Sequence, residues 1–85
     1  MLAMAKIRVE GHLLEDRNVM VCSGETPEDA AWVRDADTGQ VFIVLEHIPH
    51  EDVRGQPNAN PRCFGLRVWS ANAPMPSVGR VLEVA

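Results

Sequence analysis

The sequence predicts a small all-β domain in which five or six antiparallel strands form one sheet, closed or partly open as a barrel. Three observations predict it: short stretches of alternating apolar and polar residues, turn-forming clusters between them, and a length of 85 residues. Alternation with a period of two is typical of strands, whose successive side chains lie on opposite faces. A barrel is favoured because closure removes exposed strand edges, and an OB-like or SH3-like barrel matches the size.

The first elements are two strands followed by an ambiguous segment. Residues 7–13 alternate apolar and polar side chains, which predicts a strand with one solvent-facing side, and residues 18–22 form a short apolar second strand. In residues 26–30, Thr and Pro precede two acids, which predicts a single helical turn before a strand at 31–34. The alternative is a short helix over 27–36, which would make the fold α+β.

A hairpin over residues 33–45 is the clearest local feature. Its tip, Asp35-Ala36-Asp37-Thr38-Gly39, precedes a run of β-branched and aromatic residues. Asp side chains bind nearby backbone N–H groups and Gly accepts positive φ, so the cluster predicts a turn. The strand that follows, 41–48, is apolar on both faces. This pattern predicts a central strand that is buried on both sides or crosses a closed barrel.

The second half begins with a long polar connection and ends with two more strands. Residues 49–62 contain Pro, Gly and Asn over fourteen positions, a length typical of mobile or functional loops. Residues 63–70 alternate again, residues 72–76 form a turn with two prolines, and residues 78–84 form the last strand. In the 63–70 strand one face carries Phe64, Leu66 and Val68, and the other carries Gly65, Arg67 and Trp69.

Length and composition predict one domain over 1–85, with residues 1–4 flexible. No apolar run approaches the roughly 20 residues of a membrane helix, and the N-terminus does not resemble a secretory signal. We therefore expect a cytoplasmic protein without a membrane partner. Cys22 and Cys63 are expected to be buried and reduced; a disulfide between them is the alternative if the chain is exported.

The net charge of −4 conceals an asymmetry between the two parts of the chain. Residues 1–52 hold four basic and eleven acidic side chains, a balance of −7, whereas residues 53–85 hold four arginines and one glutamate, a balance of +3. One interpretation is a polarised molecule suited to oriented docking or head-to-tail self-association. The favoured interpretation is that folding interleaves the two parts, so that their charges pair on a mixed surface.

No metal or cofactor site is predicted. The segment 46–52 concentrates titratable groups, and His47, His50 and Glu51 are its secondary candidates for metal ligands. Pro49 opposes the helix that would place both imidazoles on one side. No second spaced pair of ligands supports the site, so metal binding remains an alternative only.

Catalysis also finds little support in the residues. Cys22 lies in an apolar strand, where burial makes a thiol inert, and Cys63 has no neighbouring histidine to activate it. Nucleophile and phosphate-binding glycine motifs are absent from the sequence. The sequence therefore predicts a protein that is not an enzyme.

The favoured function is recognition of a protein partner by a binding or adaptor protein, which could inhibit or regulate that partner. Arg67 and Trp69 share a strand face, and Arg54 and Arg62 precede them in or beside the long loop. Arg and Trp are typical interface anchors, and Arg pairs well with carboxylates. Replacing Trp69 and Arg67 together by Ala is expected to abolish binding while the fold persists. The alternatives are an OB-type binder of single-stranded nucleic acid, opposed by the negative charge, a small metal-binding protein, and a homo-oligomer.

Overall fold

Six antiparallel strands close into a barrel in the computed structural model, which describes residues 5–13, 18–25, 29–53, 63–71 and 74–84. Around the barrel the order is β1-β2-β5-β4-β3-β6, with β6 pairing back onto β1. The predicted all-β class and the closed barrel are confirmed. The strands are β1 (Ala5–His12), β2 (Val19–Gly24), β3 (Trp32–Asp35), β4 (Val41–Ile48), β5 (Phe64–Trp69) and β6 (Val81–Val84), and a 3-10 turn spans His50–Asp52.

The barrel interior is filled by side chains at alternate positions of every strand. Each fully buried aliphatic or aromatic side chain stabilises the fold by about 1.5–3 kcal/mol. Because the strands pair around a closed sheet, these residues come from all parts of the sequence and meet in one core. Its buried members are Ile7, Val9, Met20, Cys22, Val33, Phe42, Phe64, Leu66, Val68, Leu82 and Val84.

A second, smaller apolar cluster contains Val21, Val53 and Cys63, all buried. The chain after β4 folds back onto the barrel through the 3-10 turn and places Val53 there. Gly65 of β5 makes this approach feasible, since a Cβ at that position would lie 3.0 Å from Ile48 Cβ and 3.1 Å from Val53 Cγ1. A side chain at Gly65 would therefore push Val53 outward.

Of the two alternatives predicted for Val41–Ile48, a strand that crosses a closed barrel is confirmed and burial on both faces is wrong. Phe42 is buried in the core, but Val41, Ile43 and Leu45 are exposed to 41%, 43% and 60%. The reason is that β4 borders the barrel core with only one of its faces. The pairing of β4 with β5 also shifts register between Val44 and Glu46, so Leu45 is an extra, bulged residue.

Several element boundaries differ from the predicted ones. The helix over 27–36 is wrong because β3 occupies Trp32–Asp35 and pairs with both β4 and β6. The predicted last strand begins later, at Val81, because Gly79 adopts a φ of +94° in a turn and its N–H donates to Val9 O at 2.8 Å. Residues 1–4, most of the predicted helical turn at 26–30, and residues 54–62 of the long loop lie outside the described residues.

The hairpin between β3 and β4 has the predicted acidic turn, which begins at Asp35, the last residue of β3. Asp35 Oδ1 accepts hydrogen bonds from the backbone N–H groups of Asp37 (2.9 Å) and Thr38 (3.1 Å), and Gly39 has a φ of +78°. Arg80, immediately before β6, donates to the same carboxylate from Nε (3.0 Å) and Nη2 (2.7 Å). Asp35 therefore ties the hairpin turn to the start of the last strand.

The ion pairs support the interleaved arrangement of charge. Each of three pairs joins an early residue to a late one, so the two parts of the chain neutralise each other where they meet. The pairs are Arg34–Glu83 at 3.0 Å, Arg67–Glu46 at 3.2 Å and Arg80–Asp35 at 2.7 Å.

Candidate functional site

The outward side of β3, β4 and β5 carries a cluster of apolar side chains that the barrel core does not use. We call it the tryptophan face; its residues are Trp32, Val41, Ile43, Leu45 and Trp69. Four of them expose between 41% and 60% of their surface, and Trp32 is half-buried. The exposed apolar area is on the order of 400 Å², which is as large as the largest patch on a typical monomer.

Strand pairing brings the residues of this face together. Trp32 is the cross-strand partner of Ile43, and Ile43 is the partner of Trp69. Outward side chains that are directly opposite on neighbouring strands have Cβ atoms about 4.5–5.5 Å apart. The two indoles therefore flank Ile43 in one row across the sheet, with Val41 and Leu45 before and after it along β4.

Alternation along the strands explains why these side chains point outward. Val33 and Phe42 are buried in the core, so their neighbours Trp32, Val41 and Ile43 must lie on the other face of the sheet. Val44 packs against the core, so the same alternation places Leu45 on the outward side. The face is thus a direct consequence of strand register.

Two ion pairs lie at the border of the tryptophan face. Arg34 Nη2 lies 3.0 Å from Glu83 Oε1, and its guanidinium carbon lies 5.9 Å from the centre of the Trp32 ring, a cation–π distance. On the other side, Arg67 Nε lies 3.2 Å from Glu46 Oε1. Both arginines next to the indoles therefore have a carboxylate partner, and the charges that border the face cancel.

The structure brings together two of the four residues predicted to bind a partner. Arg67 and Trp69 lie on the outer side of β5, and Trp69 is 57% exposed. Arg54 and Arg62 lie outside the described residues. Sequence reasoning missed Trp32 and the exposed residues of β4. The alternation of Trp32 with buried Val33 was the pattern that could have identified the second indole.

The three secondary metal candidates do not converge. The His47 ring stacks on Phe64, with centroids 5.3 Å apart and planes 13° from parallel. His50 Nδ1 donates to Cys63 O at 2.8 Å, because a carbonyl can only accept, and Glu51 is exposed in the 3-10 turn. Within the described ranges no group of three or more His, Cys, Asp or Glu side chains could hold a metal ion. Nothing in this geometry favours the metal-binding alternative.

The thiols are buried and unbridged, as expected for reduced cysteines. Burial, with smaller contributions from Cys63 and Glu10, raises the pKa of the Cys22 thiol to about 12. A thiol with such a pKa is almost entirely protonated near neutral pH and is a poor nucleophile. Cys22 therefore acts as a core residue.

A cleft of about 460 Å³ lies between the hairpin turn and the connection from β5 to β6. Its charged lining residues, Asp35 and Arg80, are bound to each other. The hydrogen bonds from Arg80, opposed by burial and assisted by the turn amides, hold the pKa of Asp35 below its ordinary value. Because Asp35 already accepts four hydrogen bonds, we assign this pair a structural role.

The fold and the face define the class of the protein: a small closed β-barrel with an apolar, charge-neutral surface on one side. Comparison with protein-family models, with curated proteins and with solved structures finds no match for this chain. Among the described residues, no helix has the length and apolar character needed to cross a membrane.

Proposed function

We propose that this protein is a non-enzymatic binding protein that recognises a protein partner through the tryptophan face. The observation that carries the proposal is the row Trp32–Ile43–Trp69, in which two indoles flank an aliphatic side chain on the outer surface. A partner that covers this row would withdraw on the order of 400 Å² of apolar surface from water, at about 25 cal/mol per Å² before the costs of association.

The residue types support this role. Trp is enriched among the interface residues that contribute most to binding, and such residues cluster near the centre of an interface. Here the indoles and Ile43 form the centre, while the pairs Arg34–Glu83 and Arg67–Glu46 form a polar rim. An apolar centre with a polar rim is the usual arrangement of protein interfaces.

The closed barrel restricts how a partner can bind. Each of β3, β4 and β5 is hydrogen-bonded to a neighbour on both sides, so these strands offer no edge for an added strand. Recognition through this face must therefore use side chains. Such binding suits an adaptor, or an inhibitor or regulator that acts by covering a surface of its partner.

The charge around the face favours protein over nucleic acid. Two indoles on one surface could stack on bases, which keeps the OB-type single-strand binder as the alternative. Binding of phosphates, however, requires cations, and both arginines next to the indoles are held by glutamates. The net charge of −4 adds a repulsive contribution.

The test uses Ile43→Asp, which places a charge at the centre of the row. Cross-linking capture from the native host should identify a partner, whose purified form should then bind the wild-type barrel in calorimetry. We expect Ile43→Asp, and Trp69→Ala combined with Arg67→Ala, to weaken this binding at least about thirtyfold. The matched control is Val78→Asp, an equal change at an apolar residue that is 59% exposed but lies in a turn outside the face.

Circular dichroism and thermal unfolding should show that all variants remain folded. Partner binding that is unchanged by Ile43→Asp and by the double variant would refute the proposal, as would unfolding of the double variant, since Trp69 would then be a core residue. A labelled oligonucleotide titrated at low and moderate salt tests the alternative. Oligonucleotide binding that depends on both salt and Trp69 would replace protein recognition as the function.

A further inference from the structure

The tryptophan face is arranged so that it can match a copy of itself. The row Trp32–Ile43–Trp69 crosses three strands, and the residues on its two sides along β4 are Val41 and Leu45, both aliphatic. A two-fold axis parallel to the row would place each row residue against its own copy. The same rotation would place Val41 of one molecule against Leu45 of the other. Such a self-complementary surface is what a two-fold dimer requires.

The charges at the border fit the same rotation. Arg34 lies beside Val41, on the β3 side, and Glu46 follows Leu45 on β4. When Val41 lies against Leu45 of a second molecule, Arg34 of one barrel lies near Glu46 of the other, one strand away. By symmetry this approach of opposite charges occurs twice. Glu83 and Arg67 remain the partners of these two residues, so four charges of alternating sign lie in line at each side of the interface and favour this orientation.

The apolar area of the tryptophan face makes up part of what a two-fold dimer would bury. An apolar centre on the order of 400 Å² is about half of the roughly 800 Å² that each partner buries in a standard interface, and the polar rim can supply the remainder. A chain of 85 residues buries only about 60% of its unfolded surface on folding, so a small barrel gains proportionately from additional burial.

We infer that the partner of the tryptophan face is a second copy of this chain, in a two-fold dimer whose axis runs parallel to the Trp32–Ile43–Trp69 row. The inference rests on the proposed function, because it names the occupant of the same face. In this dimer Ile43 packs on Ile43 of the second copy, and Arg34, still paired with Glu83, approaches Glu46 across the interface.

Sedimentation equilibrium of the purified chain over about 1 μM to 1 mM tests the inference. The apparent mass should rise with concentration from 9.4 kDa towards twice that value, with a dissociation constant in the roughly micromolar range. Ile43→Asp should remain a monomer throughout. Val78→Asp should dimerise like the wild type.

Charge reversal tests the orientation of the axis. Glu46→Arg alone or Arg34→Glu alone replaces two attractive approaches by two repulsive ones, and each should weaken dimerisation about tenfold at low salt. When the two variants are mixed in equal amounts, a heterodimer with wild-type-like affinity should form, because each reversed charge then meets its opposite. Fluorescent labels on the two variants report this heterodimer by energy transfer.

Three results would overturn the inference. If the wild-type chain is still monomeric at 1 mM, it does not self-associate and the dimer does not form. A dimer that persists in Ile43→Asp uses another surface. Failure of the mixed variants to recover affinity means that the axis is not parallel to the row. In the first case the proposed function still stands if a different purified protein binds wild type but not Ile43→Asp, so the two failures are distinguishable.

Discussion

Asp35 provides the sharpest test of the fold, because a single carboxylate joins the hairpin turn to the last strand. It is only 5% exposed and accepts two hydrogen bonds from Arg80 and two from the turn amides of Asp37 and Thr38. A hydrogen bond to a charged group contributes about 1.5–3 kcal/mol. In Asp35→Ala the guanidinium and the turn amides can regain water, since both reach the surface. We therefore expect a net loss of about 3 kcal/mol in the free energy of unfolding.

Urea unfolding followed by circular dichroism and Trp fluorescence measures this loss at pH 7. Asp35→Asn keeps the shape and one acceptor oxygen but removes the charge, so its loss should be smaller, about 1–2 kcal/mol. Asp37→Asn is the matched control, because it removes the same charge from a side chain that is 79% exposed and whose Oδ2 lies 3.5 Å from Arg80 Nη1, a pair that solvent screens. The free energy of unfolding of Asp37→Asn should differ from that of the wild type by less than about 0.5 kcal/mol.

The pH dependence has a definite sign. The pKa of Asp35 is lowered in the folded state from its ordinary value of 3.8, chiefly by the hydrogen bonds from Arg80. The stabilisation is therefore complete above the unfolded-state pKa and is lost as the pH falls through the lower folded-state pKa. The difference between wild type and Asp35→Ala should be constant from pH 5 to 7 and shrink below pH 3.8. A difference under about 1 kcal/mol at pH 7, or one that does not change down to pH 2, would refute this role.

Two further predictions concern the backbone of β2 and the core. In Gly24→Ala the new Cβ would lie 2.7 Å from a backbone carbonyl of β1 at a φ of +117°, whereas in Gly39→Ala it would meet no atom within 4 Å at a φ of +78°. Urea unfolding should show a loss of about 1 kcal/mol for Gly39→Ala and at least about 2 kcal/mol more for Gly24→Ala; equal losses would contradict the close packing of β1 on β2. Cys22 should react with a thiol reagent at pH 8 only as fast as the barrel unfolds, because its pKa is about 12 and its side chain is buried. Rapid reaction of the folded protein, with a Cys63→Ala variant to isolate the Cys22 signal, would contradict this burial.

Local sequence patterns predicted the features that depend on residues close together in the sequence. The alternation in residues 63–70 places Leu66 in the core and Trp69 outside, as the structure confirms. The acidic turn at 35–39 forms a hairpin because its hydrogen bonds join residues within five positions of each other. The order of strands around the barrel was not predictable, because the insertion of β5 between β2 and β4 depends on pairings between distant residues.

The same limit explains why only one of the five residues of the tryptophan face, Trp69, was anticipated. Trp69 was identified because it alternates with core residues within its own strand. Its partnership with Ile43 and Trp32 depends on the registers of β3, β4 and β5, which no single strand contains. A pattern in one strand predicts which side chains share a face, and only the paired sheet shows which strands extend that face.

The residues of β4 whose outer side was wrongly expected to be buried form part of the tryptophan face. Val41, Ile43 and Leu45 are apolar, which favoured burial on both sides of this strand, yet the barrel core covers only the side that carries Phe42. The apolar composition of a strand indicates that burying its side chains would be favourable in free energy. It does not indicate whether they are buried in the protein's own core or against a partner. A strand that is apolar on both faces, in a barrel that covers one of them, has its second face exposed to solvent. Val41, Ile43 and Leu45 stay exposed in the single chain, and they are the residues of β4 that the proposed dimer would bury.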